Sequence, residues 1–334
     1  MSAFAFPFPV VVVDTGGTNV RFALVDQPKA ALGPIVHLAT HDYPGLPDAL
    51  EAAAPKLGAR PRSMIVCGAG PVVGRELKLT NAPWVMDGRE TARRAGLAQG
   101  LLLNDFEAQA LSLPAVLPEW TREIGPLGFA GKGPQVILGP GTGLGIAALV
   151  EADGRYTPVS SEACHIDFGP VTDEEFALWP HLERAHGRIT SESVLSGAGL
   201  ARVHRARLVA KGEPDPMSAP QDVTAAALAD RAGEAAKSVS LYWRIVARFS
   251  GDMAVTFVAT GGVTLSGGVL PRLVDFLDDA TFRAAFEAKA PVDALARSIP
   301  TRLITHSDAV LAGMAAIAAE PQRYGVAYDA RGWV

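Results

Sequence analysis

The sequence predicts an α/β protein of two lobes, with a mixed sheet and helices in each and a cleft between them. Three observations lead there. At 334 residues the chain exceeds the usual length of one domain and is long enough for two sizeable cores. A buried strand, a turn rich in Gly and Thr, and a returning strand occur at residues 10–26 and again at 135–150, a weak internal repeat of the kind a two-lobed site uses. Around these units, short apolar strands alternate with helical patterns.

The first unit begins with Val10, Val11, Val12 and Val13, which suit a strand buried on both faces, and returns through Val20, Phe22 and Leu24 in alternation. Residues 35–43 read as a third strand, 46–57 as an alanine-rich helix, and 63–67 as a strand stopping at Gly68-Ala69-Gly70-Pro71. Asp87 and Glu90 have capping-box spacing, so a helix follows to about Ala98. Next come the strand Leu101-Leu102-Leu103, then Asn104-Asp105, then a helical pattern over 106–113 closed by Pro114. The first lobe therefore spans residues 1–115, and the Gly- and Pro-rich stretch 118–134 is a connection.

The second unit contains the strand 135–138, the turn 139–145 and the strand 146–150, after which the second lobe, 116–305, becomes largely helical. Thr172 and Glu175 have capping-box spacing, 222–249 reads as one long helix, and 253–271 as strand and turn, with the strand at Val263-Thr264-Leu265. Pro271 suits the first position of a helix to Leu277. The final strand is placed at 303–305 and the final helix at 308–319, with 306–334 packing back on the first lobe.

Composition narrows the function. Hydrophobic residues make up 49% and charged residues 19%, a globular balance. A net charge of −5 without basic runs argues against nucleic-acid and anionic-membrane surfaces and favours a small-molecule partner. Cys67 and Cys164 are the only cysteines, too few for a disulfide framework or a cysteine-rich zinc site, and fit a reducing cytoplasm. Residues 1–9 lack the basic region of a secretory signal, and the uncharged stretch 253–271 holds too many glycines and hydroxyls for a membrane helix.

The turn Asp14-Thr15-Gly16-Gly17-Thr18-Asn19 suits phosphate binding, because two glycines let amides approach a ligand and Thr hydroxyls add donors. An ordinary hairpin is the alternative. The common nucleotide fingerprints are absent: the one Gly-Lys-Gly lacks the remainder of a P-loop, and Gly68-Ala69-Gly70 meets Val73 where a dinucleotide fold needs a third glycine.

Seven stretches in order resemble the bacterial glucokinases of the hexokinase and actin-like ATPase superfamily: 14–24, 104–106, 139–145, 162–168, 191–197, 266–272 and 282–286. The resemblance implies the actin-like, ribonuclease H-like fold and ATP-dependent phosphorylation of glucose at its 6-hydroxyl. It implies that Asp14, Thr15, Gly16, Gly17, Thr18 and Asn19, together with Gly139, Gly141, Thr142 and Gly143, clasp the ATP phosphates. Gly267 and Gly268 then back the adenosine, and Asp14 faces Mg2+ of Mg-ATP through water. Asp105 becomes the catalytic base, and Asn104, Asp105, Glu162, His165 and Glu192 bind the sugar. A homodimer is also implied.

Each of these residues has a plainer role available. Asp105 suits an N-cap, His165 a satisfied structural histidine, and Glu192 a carboxylate in a helix's first turn, where the dipole favours it. The helix start also favours the ionised form of Asp105.

One departure stands out. The family reads Gly-Glu-Gly-Gly-His where this chain has Ser161-Glu162-Ala163-Cys164-His165. If those positions need positive φ, Ala163 and Cys164 strain the loop by roughly 1 kcal/mol or more each. This makes another hexose the nearest rival substrate. Cys164 is either a thiol open to reagents or a buried, inert one. Sugar kinases related to repressors carry a cysteine-rich zinc motif, which this chain lacks. A regulator needs a DNA-binding module for which a first strand at Val10 leaves no room, and an actin-like ATPase should lack the Glu162 and His165 pair.

Overall fold

The computed structural model describes residues 4–129, 132–214 and 219–333. The chain divides into two compact units, one of residues 1–120, 149–159 and 306–334, the other of residues 121–148 and 160–305. Residues 1–3, at the start of the stretch tested for a secretory signal, and 130–131, within the expected connection, lie outside the described residues.

In the first unit β1 (Val10–Thr15) and β2 (Asn19–Val25) form an antiparallel hairpin, with Val10 opposite Val25 and Thr15 opposite Val20. β3 (Val36–Ala39) extends it on the β2 side, shorter than expected because residues 40–42 turn into a 3-10 helix. β4 (Ser63–Gly68) runs parallel to β1. A small sheet of β5 (Val72–Val73), β6 (Glu76–Lys78) and β7 (Val85–Asp87) follows; these strands are too short to carry a period. β8 (Gln99–Asn104) is parallel to β4.

The four valines are wholly buried, and Val11 and Val13 share a core with Val20, Phe22, Met64, Val66 and Leu102. Flanking helices are α1 (Leu46–Ala53), α2 (Gly88–Ala95) and α3 (Asp105–Ser112). α2 starts as the spacing predicts, with the Asp87 carboxylate accepting from the Arg89 and Glu90 N–H groups, and ends earlier, at a left-handed Gly96.

Helix Ala309–Ala319 packs on α3. It is not the last element: a short helix, Tyr328–Arg331, leads to a strand, Gly332–Trp333, that pairs with β8. Two residues give no pattern to read. Their anchor is the buried Trp333 ring, which lies against Gly88 and Gly100.

The second sheet has the order β11-β10-β13-β14-β9, made of β9 (Thr121–Ile124), β10 (Gln135–Pro140), β11 (Leu144–Ala152), whose residues from Leu149 onward belong to the first unit, β13 (Gly262–Leu265) and β14 (Thr301–Ile304). β12 (Arg155–Ser161) follows β11 through a turn at Asp153 and Gly154. β9 lies inside the stretch read as a connection. It is an edge strand, antiparallel to β14, and its Thr-Arg-Glu-Ile sequence lacks an apolar run.

The helices are α4 (Asp173–Leu178), α5 (Ser191–Leu195), α6 (Gly197–Ala210), α7 (Pro220–Ala229), α8 (Glu234–Thr256), α9 (Asp279–Glu287) and α10 (Asp293–Ser298). Residues 222–249 are therefore not one helix. Asp230 leaves helical backbone at φ −135°, and its side chain and carbonyl accept from the Ala232 and Gly233 N–H groups, so the chain restarts at α8. α8 runs to Thr256, which makes the start of 253–271 helical, and the stretch after Pro271 is a 3-10 helix, Leu270–Phe276. α8 supplies Tyr242, Trp243 and Phe249 to a core with Val136, Leu138 and Leu265. Among the described residues no helix is long and apolar enough to cross a membrane.

Candidate active site

In the first unit the parallel strands β1, β4 and β8 put Asp14 beside Cys67 and Gly68 beside Asn104 at their C-terminal ends. Open α/β sheets present ligand-binding residues at that edge. Asp14 Oδ2 accepts from Arg21 Nη2 at 2.5 Å and Nε at 3.2 Å, while Oδ1 accepts a weak bond from the Cys67 thiol at 3.4 Å. Arg21 Nη1 in turn donates to the Ser307 carbonyl and lies 3.6 Å from Asp308.

Around the turn, much of the predicted donor set is used by the fold itself. Thr15 is buried and donates its hydroxyl to the Cys67 carbonyl at 2.6 Å, and the Gly16 N–H closes the turn on the Asn19 carbonyl at 2.8 Å. Gly17 passes so near Asn81 that a Cβ there would sit 2.8 Å from its carbonyl oxygen. Thr18 and Asn19 are exposed.

Asp105 is not the N-cap of its helix. Asn104 is: its Oδ1 accepts from the Phe106 and Glu107 N–H groups, and Glu107 reaches back to the Asn104 N–H in a capping box. Asn104 Nδ2 donates to the Gly70 carbonyl, and among the described residues its second N–H is left for a ligand. With capping done by its neighbour, the Asp105 carboxyl is left for other work. Burial, with the nearby charge of Asp14, outweighs the helix-start N–H groups and pushes it up to about 6.

The second unit joins three of the predicted stretches. The turn between β10 and β11 is closed by the Gly141 N–H on the Gly143 carbonyl, and the Gly197 N–H donates to the Gly141 carbonyl. Thr142 is exposed at its tip. Glu192 Oε2 accepts the Leu144 N–H at 3.0 Å, so its carboxylate serves this hairpin and not its own helix start. Gly267, at φ +85°, lets the chain pass close to Pro140; a Cβ there would lie 2.3 Å from the Pro140 oxygen. Gly139 packs on Ser266, and Gly268 faces open space.

The stretch with the unusual side chains is a 3-10 turn, Ala163–His165. Neither Ala163 nor Cys164 is among the residues of positive φ, so the strain contemplated for them does not arise. Segment 166–168 lies beside 189–191 through the Ser191 N–H to Ile166 carbonyl bond and the Phe168 N–H to Ile189 carbonyl bond, which brings the loop to α5 and Glu192. Glu162 and His165 are exposed and 3.6 Å apart. Cys164 is the buried thiol of the two readings; burial, then the charges of Glu162 and Glu192, pushes it up to about 12.

A model of the glucokinase family matches residues 11–321. The chain belongs to the glucokinase family. Members similar to it include the glucokinase of Rhizobium meliloti, 40% identical over 99% of this chain and 98% of that one, and that of Mesorhizobium japonicum, 41% identical over 98% and 96%. Among solved structures, the glucokinase of an Antarctic psychrotroph matches 93% of this chain and 98% of its own with a TM-score of 0.82 at 26% identity. The two-lobed actin-like fold expected from the sequence is therefore the fold of this glucokinase-family chain, and it is a sugar kinase.

Two residues of the site went unassigned in the sequence. Arg21 lies in the opening motif, and its spacing from Asp14 across a hairpin was a readable signal. Cys67 had no such signal, because only the parallel register of β1 and β4 puts it beside Asp14.

Proposed function

We propose that the protein phosphorylates glucose at its 6-hydroxyl with Mg-ATP, and that Asp105 is the general base. The observation carrying this is the position of Asp105, at the C-terminal edge of β8, relieved of capping and pushed up to about 6. A carboxyl near neutrality is ionised at working pH yet basic enough to take the hydroxyl proton as oxygen attacks the γ-phosphorus. Phosphoryl transfer otherwise needs positioning and charge stabilisation.

In this reading the turns 14–19 and 139–143 bind the phosphates and Gly267-Gly268 lies behind the adenosine. Asn104, Glu162, His165 and Glu192 bind the sugar hydroxyls, combining acceptors with donors as hydroxyls require. Asp14 fits a role toward Mg2+ through water: Arg21 takes one carboxylate oxygen, and among the described residues the other meets a thiol alone. When bound, Mg2+ neutralises phosphate charge. The residues themselves orient the two substrates, and closure around them excludes water, which otherwise takes the phosphoryl group. The family resemblance extends the proposal to a homodimer.

A coupled assay over a panel of hexoses tests it. Glucose is expected to have the highest kcat/KM, and Asp105→Ala to retain the fold and lose turnover. No activity with any hexose overturns the proposal, and a preference for mannose or fructose replaces the substrate.

A further inference from the structure

The loop read as sugar-binding holds a second donor set. A carboxylate oxygen of Glu162, Sγ of Cys164 and a ring nitrogen of His165 all lie within 4.8 Å of one another. Cys164 Sγ is 3.7 Å and His165 Nε2 3.6 Å from the same Glu162 oxygen. In a tetrahedral site with metal–sulfur bonds of about 2.3 Å and metal–nitrogen or –oxygen bonds of about 2.0–2.1 Å, neighbouring donors stand roughly 3.3–3.6 Å apart. The two distances are already close to that spacing.

Backbone bonds hold the spacing. His165 N–H donates to the Glu162 carbonyl at 3.0 Å, Ile166 N–H to the Ala163 carbonyl at 3.3 Å, and Ala163 N–H to Ser161 Oγ at 3.2 Å. Glu162 and His165 are exposed while Cys164 lies buried beneath them, so an ion enters from solvent and meets the sulfur last. Carboxylate, imidazole and thiolate suit zinc or cobalt, whereas Mg2+ selects oxygen donors.

We propose that Glu162, Cys164 and His165 together bind one divalent cation of the zinc class, with water at the fourth position, and that the bound cation excludes the sugar. The exclusion rests on the sugar-binding reading of Glu162 and His165, since the ion takes the carboxylate and the ring nitrogen the sugar would use. As the sulfur–metal bond forms, the thiol S–H bond breaks and its proton goes to solvent, so binding strengthens with rising pH.

The test titrates the full chain, without nucleotide, with Co2+ as the probe and follows the thiolate-to-cobalt charge-transfer absorption. Saturation at one ion per chain, loss of the band in Cys164→Ser and at least tenfold weaker binding in His165→Ala support the site. Absence of the band in the unaltered protein, or its persistence in Cys164→Ser, where Cys67 would be the only remaining thiol, overturns it. Glucose is expected to displace the ion, and Zn2+ to raise KM for glucose without lowering kcat. If calorimetry shows glucose bound while the band is unchanged, the exclusion is overturned. If glucose does not bind at all, the sugar reading fails, and the band with its dependence on Cys164 still supports the cation site.

Discussion

The Glu192 carboxylate accepts the Leu144 backbone N–H at 3.0 Å, tying a residue assigned to the sugar to the glycine hairpin assigned to the phosphates. α5, which carries Glu192, is held in turn by the Tyr242 hydroxyl of α8 on the Leu195 carbonyl. Glu192→Ala leaves a buried N–H without this acceptor, at a cost of about 1–3 kcal/mol. The expected result is a lower melting temperature and a raised KM for both glucose and ATP. Glu192→Gln keeps an acceptor oxygen and should preserve most of the stability.

The base role proposed for Asp105 makes activity depend on pH. As its carboxyl sits at about 6, log kcat/KM should fall with a slope approaching one below that pH, and Asp105→Asn should lose 10²- to 10⁴-fold in kcat. The sign for stability is opposite. Between its ordinary value near 4 and about 6 the folded protein holds the proton that the unfolded chain has shed, so this group's contribution to stability falls as pH rises. Asp105→Asn should therefore be more stable than the parent at pH 8, by about 3 kcal/mol, and the difference should vanish below about pH 4. Denaturant melts at the two pH values check this.

Arg21 holds Asp14 with two donors on one oxygen. Arg21→Lys keeps the charge and loses the fork, so it should raise KM for Mg-ATP several-fold with a small change in kcat. Arg21→Ala should also destabilise by about 1–3 kcal/mol, because Asp14 is partly buried and loses its cation. Steady-state kinetics and thermal melts separate the two effects.

The 3-10 geometry at Ala163 and Cys164 makes another expectation definite. Restoring the family's glycines there relieves no strain, and it adds freedom to the unfolded chain. Ala163→Gly should lower stability by about 0.5–1 kcal/mol. A rise in melting temperature would contradict the backbone assignment.

Trp333 packs so tightly on Gly100 that a Cβ at residue 100 would lie 1.9 Å from the indole. Gly100→Ala has to displace the C-terminal strand and should cost about 1–3 kcal/mol, while Trp333→Ala should cost about 3–5 kcal/mol. Urea titration with an unchanged m-value would assign both losses to the folded state.

Local chemistry was legible wherever it repeats along the chain. The valine run, the two glycine turns and the Asp87 cap are read directly from residue type and spacing, and the motif order identifies the family. Edge strands such as β9 and the Gly332–Trp333 strand were not legible, since charged or two-residue strands carry no period. The break at Asp230 was hidden by the helical composition on both sides of it.

Residue type and spacing along the chain were enough for the two glycine turns, the strands that flank them and the family, because these depend on near neighbours and motif order. Packing in three dimensions was needed to show that Asn104 does the capping and that the partly buried Asp105 carboxyl is raised to about 6, since desolvation depends on what packs around a group. It likewise decided that Cys67 meets Asp14 through a strand register, and that Ala163 and Cys164 sit unstrained in a right-handed turn.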